Sequence, residues 1–229
     1  MKKAFTMMEL IFVLVVMGII AAVVIPNTRT NPLEEAAVQL ASHIRYTQHL
    51  AMIDDKYNPN RLDTAGNVIW FKDRWQIAFG NNNQYADYKP AYTIFSDSVG
   101  NAVSRGDAQE EEIAKNPENP NQIMTGGYNS TAAVNYGSAG FKGMKKLNIG
   151  NAYRIASITL SGGCSGGSRI SFDHLGRPMK GDQSTMTGPY SAGTQRLITQ
   201  DCNVVLKDFN DNNITIIVTP ETGYVKINF

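Results

Sequence analysis

Residues 5 to 26 read F-T-M-M-E-L-I-F-V-L-V-V-M-G-I-I-A-A-V-V-I-P, and this stretch decides how the rest of the chain is understood. From Phe5 to Ile25 only Glu9 carries a charge. As an α-helix rising about 1.5 Å per residue, the run is roughly 30 Å long, the thickness of a bilayer core. Lys2 and Lys3 precede it, and flanking cations stay on the cytoplasmic side of a membrane. The stretch therefore predicts a single-pass membrane helix, N-terminus cytoplasmic and the remainder of the chain outside the inner membrane. A secretory signal is the first rival, with Ala21-Ala22 as its cleavage site. Its apolar run would be shorter, about 7–15 residues, and would hold no carboxylate. A plain anchor is the second rival, and it leaves Glu9 unexplained.

An ionisable side chain within an apolar helix is costly and marks a functional position. Glu9 needs a partner, and no Lys, Arg or His lies in the run. A free amine at Phe5, created by cleavage after Ala4, would supply the missing cation.

These residues also carry a family resemblance. K-K-A-F-T-M-M-E-L-I from Lys2 to Ile11 resembles the N-terminal signal of type IV pilins and type II secretion pseudopilins. The resemblance implies that a prepilin peptidase cuts between Ala4 and Phe5 and that Phe5 becomes the N-methylated first residue. It further implies that Glu9 pairs with the terminal amine of a neighbouring subunit, and that Pro26 kinks the helix where the apolar run ends. One position departs from the pattern, because the family places glycine where this chain has Ala4.

Working outward, Pro26 and Pro32 bracket N-T-R-T-N, where proline disfavours helix at the residue before it. A second helical pattern runs from Leu33 to Ile53. Leu33, Ala37, Leu40, Ala41, Ile44 and Ala51 recur at three- and four-residue spacings and form one narrow apolar stripe. Beyond Tyr57 the signals become strands and turns. Strands are expected at Val68–Phe71, Trp75–Phe79, Ala91–Phe95, Arg154–Leu160, Arg169–Phe172, Asn203–Lys207, Ile214–Thr219 and Tyr224–Phe229, the first two forming a hairpin. Between Ser96 and Gly150 the chain is polar, with N-P-E-N-P-N-Q at its centre. It reads as a surface insertion with a short acidic helix from Asp107 to Lys115. The expected fold is α+β: a long N-terminal α-helix, half transmembrane and half amphipathic, packed on an antiparallel β-sheet head. Its divisions are a leader at 1–4, an assembly helix at 5–25, an amphipathic half-helix at 26–56 and a β-rich head at 57–229, with the insertion at about 96–150.

I-S-F-D-H-L-G-R-P (Ile170–Pro178), I-T-I-I-V-T-P-E-T-G-Y-V-K-I (Ile214–Ile227) and L-A-S-H-I-R-Y-T-Q-H-L-A-M (Leu40–Met52) are similar to FimT/GspH-like minor pseudopilins. That resemblance implies a pilin-like head of two small antiparallel sheets on the amphipathic half-helix. It implies as partners other pilin or pseudopilin subunits, the prepilin peptidase, and an inner-membrane platform and assembly ATPase. The function it implies is structural: a minor pseudopilin of a secretion or pilus-like filament. The alternatives are a competence pseudopilin for DNA uptake and a membrane-anchored binding protein that never polymerises.

Composition narrows the remaining functions. Hydrophobic residues make up 42% and charged residues 18%, an ordinary globular balance. The formal charge is +1, so no strongly basic surface points to nucleic acid. Losing Lys2 and Lys3 with the leader would bring the chain near −1. A basic patch of Lys142, Lys145, Lys146 and Arg154, with Lys226 in G-Y-V-K, leaves DNA as a less favoured partner than a solvated face. Cys164 and Cys202 are 38 residues apart and belong to no zinc pattern. In an oxidising compartment they read as a disulfide, and otherwise as two free thiols. D-F-N-D-N-N from Asp208 has alternating oxygen ligands, but Asn213 and Thr219 stand where a calcium loop needs Gly and Glu. A hairpin turn accounts for it. His43, His49 and His174 share no spacing, the serines of G-G-C-S-G-G lack a base, and R-G-D at Arg105–Asp107 is a common tripeptide. No catalytic constellation, cofactor motif or metal set is expected.

Overall fold

The computed structural model describes residues 6–24, 31–99, 106–190 and 196–229. The chain divides into two units, Met1–Asn31 and Pro32–Phe229. The first unit holds helix α1, Met7–Val24, whose side chains are described as far as Ile20. The second opens with helix α2, Pro32–Ile53.

Two expectations are corrected here. A single long N-terminal helix is not shown: α1 has 18 residues, and α2 starts afresh in the other unit with proline as its first residue. Proline lacks an N–H and clashes with the carbonyl four residues earlier, so it suits a first turn and not a helix interior. Among the described residues no helix is long and apolar enough to cross a membrane. The single-pass inner-membrane anchor expected over Phe5–Ile25 is therefore not supported, since a span needs about 20 apolar residues.

The stripe on α2 is buried as its spacing requires. Leu33, Ala36, Ala37, Leu40, Ala41, Ile44, Thr47 and Ala51 form the hidden face. Four alanines keep that face shallow, so strands approach the helix closely. Thr47 sits in the stripe because its hydroxyl donates to the His43 carbonyl at 2.8 Å, which satisfies the group without a distant partner.

Two four-stranded antiparallel sheets meet α2. The first contains β1 (Trp75–Gly80), β2 (Ala91–Ser96), β4 (Arg169–Phe172) and β5 (Pro178–Lys180), in the order β2-β1-β4-β5. The second contains β3 (Ile155–Gly162), β6 (Cys202–Asp208), β7 (Asn213–Val218) and β8 (Val225–Asn228), in the order β3-β6-β7-β8. A short helix α3, Ile149–Tyr153, precedes β3. The second sheet shows the alternation of a half-buried surface: Cys202, Val204 and Leu206 on β6, and Ile214, Ile216 and Val218 on β7, are buried between less buried neighbours. In the first sheet β2 is buried at all six positions, so both its faces are covered.

The cover at the β2 edge comes from the segment expected to be a surface insertion. Ala114 N donates to Ile94 O, Ile94 N to Met124 O and Gly126 N to Tyr92 O, at 2.9–3.0 Å. Residues 113–126 thus satisfy the open edge of β2. Ile113, Ile123, Met124, Val134, Leu147 and Ile149 of this polar-looking stretch belong to the core. The acidic helix expected over Asp107–Lys115 shrinks to a 3₁₀ turn at Glu110–Glu112. The expected Val68–Phe71 strand is also corrected, being one isolated bridge (Leu62 to Val68) and a 3₁₀ turn at Trp70–Lys72. Trp75–Gly80 pairs instead with β2 and with β4, whose partner residues lie more than 90 positions downstream.

One side chain ties both sheets to the helix. Gln48 Nε2 donates to Gly176 O at 2.9 Å, in the turn between β4 and β5, and to Thr222 O at 2.7 Å, in the turn between β7 and β8. Gly176 and Gly223 both have positive φ, +79° and +62°. A Cβ at Gly223 would lie 2.6 Å from Gln48 Nε2 and 2.6 Å from Gly176 O, so the turn needs glycine for conformation and for space. Arg45, one turn earlier, donates to Val225 O at 2.8 Å.

Candidate assembly site

The first turn of α1 is organised around Glu9. Thr6 N and Thr6 Oγ1 each donate to Glu9 Oε2 at 2.9 Å, and Glu9 N donates back to Thr6 Oγ1 at 3.3 Å. Thr and Glu three residues apart form a reciprocal capping box, which satisfies N–H groups that a helix start leaves open. The hydrogen bonds from Thr6, backbone first and side chain second, hold the Glu9 carboxyl below its ordinary range. A carboxylate here also lies at the positive end of the helix dipole. The partner sought for Glu9 within its own chain is therefore Thr6. T-x-x-E ahead of an apolar run was a readable signal for it.

Beyond the cap, α1 has no polar face among its described side chains. Leu10, Ile11, Phe12, Val13, Leu14, Val15, Val16, Met17, Ile19 and Ile20 are all exposed, Phe12 at 70%. A helix that is hydrophobic all round is one whose partners lie elsewhere, because a helix facing water keeps a polar side. A contiguous exposed apolar surface of this kind marks an interaction site.

Ala4, Phe5 and Pro26, the expected cleavage, methylation and kink positions, lie outside the described residues. Cys164 and Cys202 form a disulfide. It joins the glycine-rich turn after β3 to the first residue of β6, and both sulfurs are fully buried.

The remaining sequence candidates are dispersed. Asp208 accepts from Asn210 N at 2.8 Å, Asn212 N at 2.9 Å and Asn212 Nδ2 at 2.9 Å. Its oxygens close the β6–β7 hairpin turn, as an Asx turn does, and the Asn212 contact is the leading reason its carboxyl is held low. Among the described residues no group of His, Cys, Asp and Glu is placed to hold a metal. Lys142 pairs with Glu110 at 2.6 Å, which removes one cation from the basic patch. Arg105 of the R-G-D tripeptide is outside the described residues. His49 is exposed, while His174 lines a water-sized recess beside Trp70 and Trp75.

His43 has a different setting from the solvated one its helix position suggests. Its Nδ1 lies 2.7 Å from the Tyr92 hydroxyl. Tyr92 also accepts from Gln39 Nε2 at 2.8 Å, and Gln39 Oε1 accepts from Tyr153 at 2.8 Å. Burial pushes the His43 imidazole down to about 4 and raises the Tyr92 phenol. Sequence reasoning missed this network because Tyr92 and Tyr153 are far from α2 in the chain.

Compared with known proteins, the chain matches no family model, no curated protein and no solved structure.

Proposed function

We propose that this chain is a structural subunit, of the minor-pseudopilin kind, in a type II secretion or type IV pilus-like filament. The observation that carries the reading is α1: a helix apolar on every described face, opened by one carboxylate in its first turn. Apolar surface of this extent is favourable only when removed from water, at about 25 cal/mol per Å². In this reading, α1 helices of neighbouring subunits provide the cover. The resemblance of Lys2–Ile11 to the prepilin signal supplies the route. A prepilin peptidase cuts between Ala4 and Phe5 and methylates Phe5, and a platform protein and an ATPase drive assembly. The new amine of one subunit then meets Glu9 of the next, a charge-assisted contact that sets register. The head has its core around α2, and its role is structural and not enzymatic.

The test separates the two duties of Glu9. Thr6→Ala removes the cap and leaves the carboxylate, whereas Glu9→Ala removes both. The expected result is normal incorporation for Thr6→Ala and loss of incorporation for Glu9→Ala, read as subunits co-purifying with sheared filaments. Undiminished incorporation of Glu9→Ala overturns the reading. So does a mature N-terminus at Met1 in filament-borne protein.

A further inference from the structure

A cleft of about 340 Å³ runs beside α2, between the helix and the segments around Pro117 and Lys146. That volume lies within the range of small-molecule sites. Its lining includes Met124, Met144 and Tyr46, and the exposed Glu118 and Lys146 at its rim. Neither rim charge forms an ion pair among the described residues.

The half-buried His43 in this lining offers a hydrogen-bond donor whose identity follows from its neighbours. Gln39 Nε2 donates to the Lys146 carbonyl at 3.0 Å. A carbonyl only accepts, so the orientation of the Gln39 amide is settled. The same nitrogen donates to Tyr92 Oη. Tyr92 has one proton, and the remaining neighbour to take it is His43 Nδ1. His43 is neutral near pH 7 because burial lowers its basicity, so its own proton sits on Nε2. Nδ1 is taken by the buried Tyr92, Nε2–H makes no hydrogen bond among the described residues, and His43 lines the cleft.

We propose that this cleft binds a small zwitterion with an apolar side chain, namely a free hydrophobic amino acid or a dipeptide. Its carboxylate meets Lys146 and the His43 Nε2–H, its ammonium meets Glu118, and its side chain lies against Met124, Met144 and Tyr46. Polyanions are disfavoured by Glu118. Purely apolar ligands leave the His43 donor unpaired, which is costly in a partly buried site. Thioethers suit an aliphatic side chain of variable shape.

The experiment uses the full chain with 13C-methyl-labelled methionine, titrated with leucyl-leucine and followed by NMR. Met124 and Met144 methyl signals are expected to shift saturably, while that of the exposed Met52 stays in place. Lys146→Ala and Glu118→Gln, both at exposed positions, are each expected to weaken binding by about tenfold, the loss of one charge-assisted contact. On the unaltered chain, N-acetyl-leucinamide, which lacks both charges, is expected to weaken it at least as much. The proposal is overturned if the two methyls stay unmoved up to about 10 mM ligand, well above the ~1 mM that corresponds to −4.1 kcal/mol. It is equally overturned if the blocked ligand binds as well as the zwitterion. The readout does not depend on filament assembly, so it stands or falls separately from the function proposed above.

Discussion

Acidification should destabilise the domain through one identifiable imidazole. His43 is packed beside Tyr92 and lies in a cleft with Gln39, Tyr46, Glu118 and Lys146. Desolvation lowers it from an ordinary 6.5 to about 4. Between those values the unfolded chain binds a proton that the folded one refuses, so stability falls as pH falls. A tenfold loss of proton affinity corresponds to about 1.4 kcal/mol, which makes the whole effect about 3 kcal/mol. It is fully present above pH 6.5, declines below that value, and is lost once pH has passed through about 4. Many carboxylates titrate in the same window, so the assay is a difference. Urea unfolding of the native chain and of His43→Gln, which keeps an acceptor for Tyr92 but does not titrate, is measured from about pH 7.5 to pH 4. The native protein should lose about 3 kcal/mol relative to the variant over that range. Parallel curves for the two proteins would refute the claim that His43 is held neutral by burial.

The other predictions concern the clamp, the disulfide and the cap. Gly223→Ala places a Cβ 2.6 Å from both Gln48 Nε2 and Gly176 O at a φ of +62°, and should cost about 1–3 kcal/mol or more in urea unfolding. Gln48→Ala removes two hydrogen bonds to turn carbonyls. It should cost about 1–3 kcal/mol, with amide exchange faster in the 173–177 and 219–224 turns than elsewhere. Reducing the Cys164–Cys202 bond opens a loop of 38 residues and should lower stability by about 3–4 kcal/mol in the chain-entropy model. Lowering pH through the depressed Glu9 pKa should weaken the α1 cap, because a carboxylate held low stabilises above its unfolded value and stops doing so below its folded one. Circular dichroism of a peptide spanning Phe5–Val24 in a helix-supporting detergent should show that loss for the native sequence and none for Glu9→Gln.

Local pattern was enough for the elements whose signal repeats at short range. The α2 stripe was legible because Leu33, Ala37, Leu40, Ala41, Ile44 and Ala51 recur at helical spacing, and all are buried. The alternation of β6 and β7 was legible because one face of that sheet is left less buried. The Thr6–Glu9 box could be read from four residues. Tertiary structure decided what depends on residues distant in the chain. It paired β1 with β4 and not with Val68–Phe71, because a strand's partner is chosen by the packing of both its faces. It drew Ile113, Ile123 and Leu147 out of a polar stretch into the core, where the β2 edge needed hydrogen bonds that no local pattern announces. It placed His43 in a half-buried setting beside Tyr92, which reaches the ring only after the sheet packs on the helix. The sequence by itself determined that α1 is apolar with one charge. The T-x-x-E spacing holds the cap, and only the folded chain showed that no described helix is long and apolar enough to span a membrane. A cap is set by the spacing of neighbouring residues, whereas a span is a property of continuous helix length.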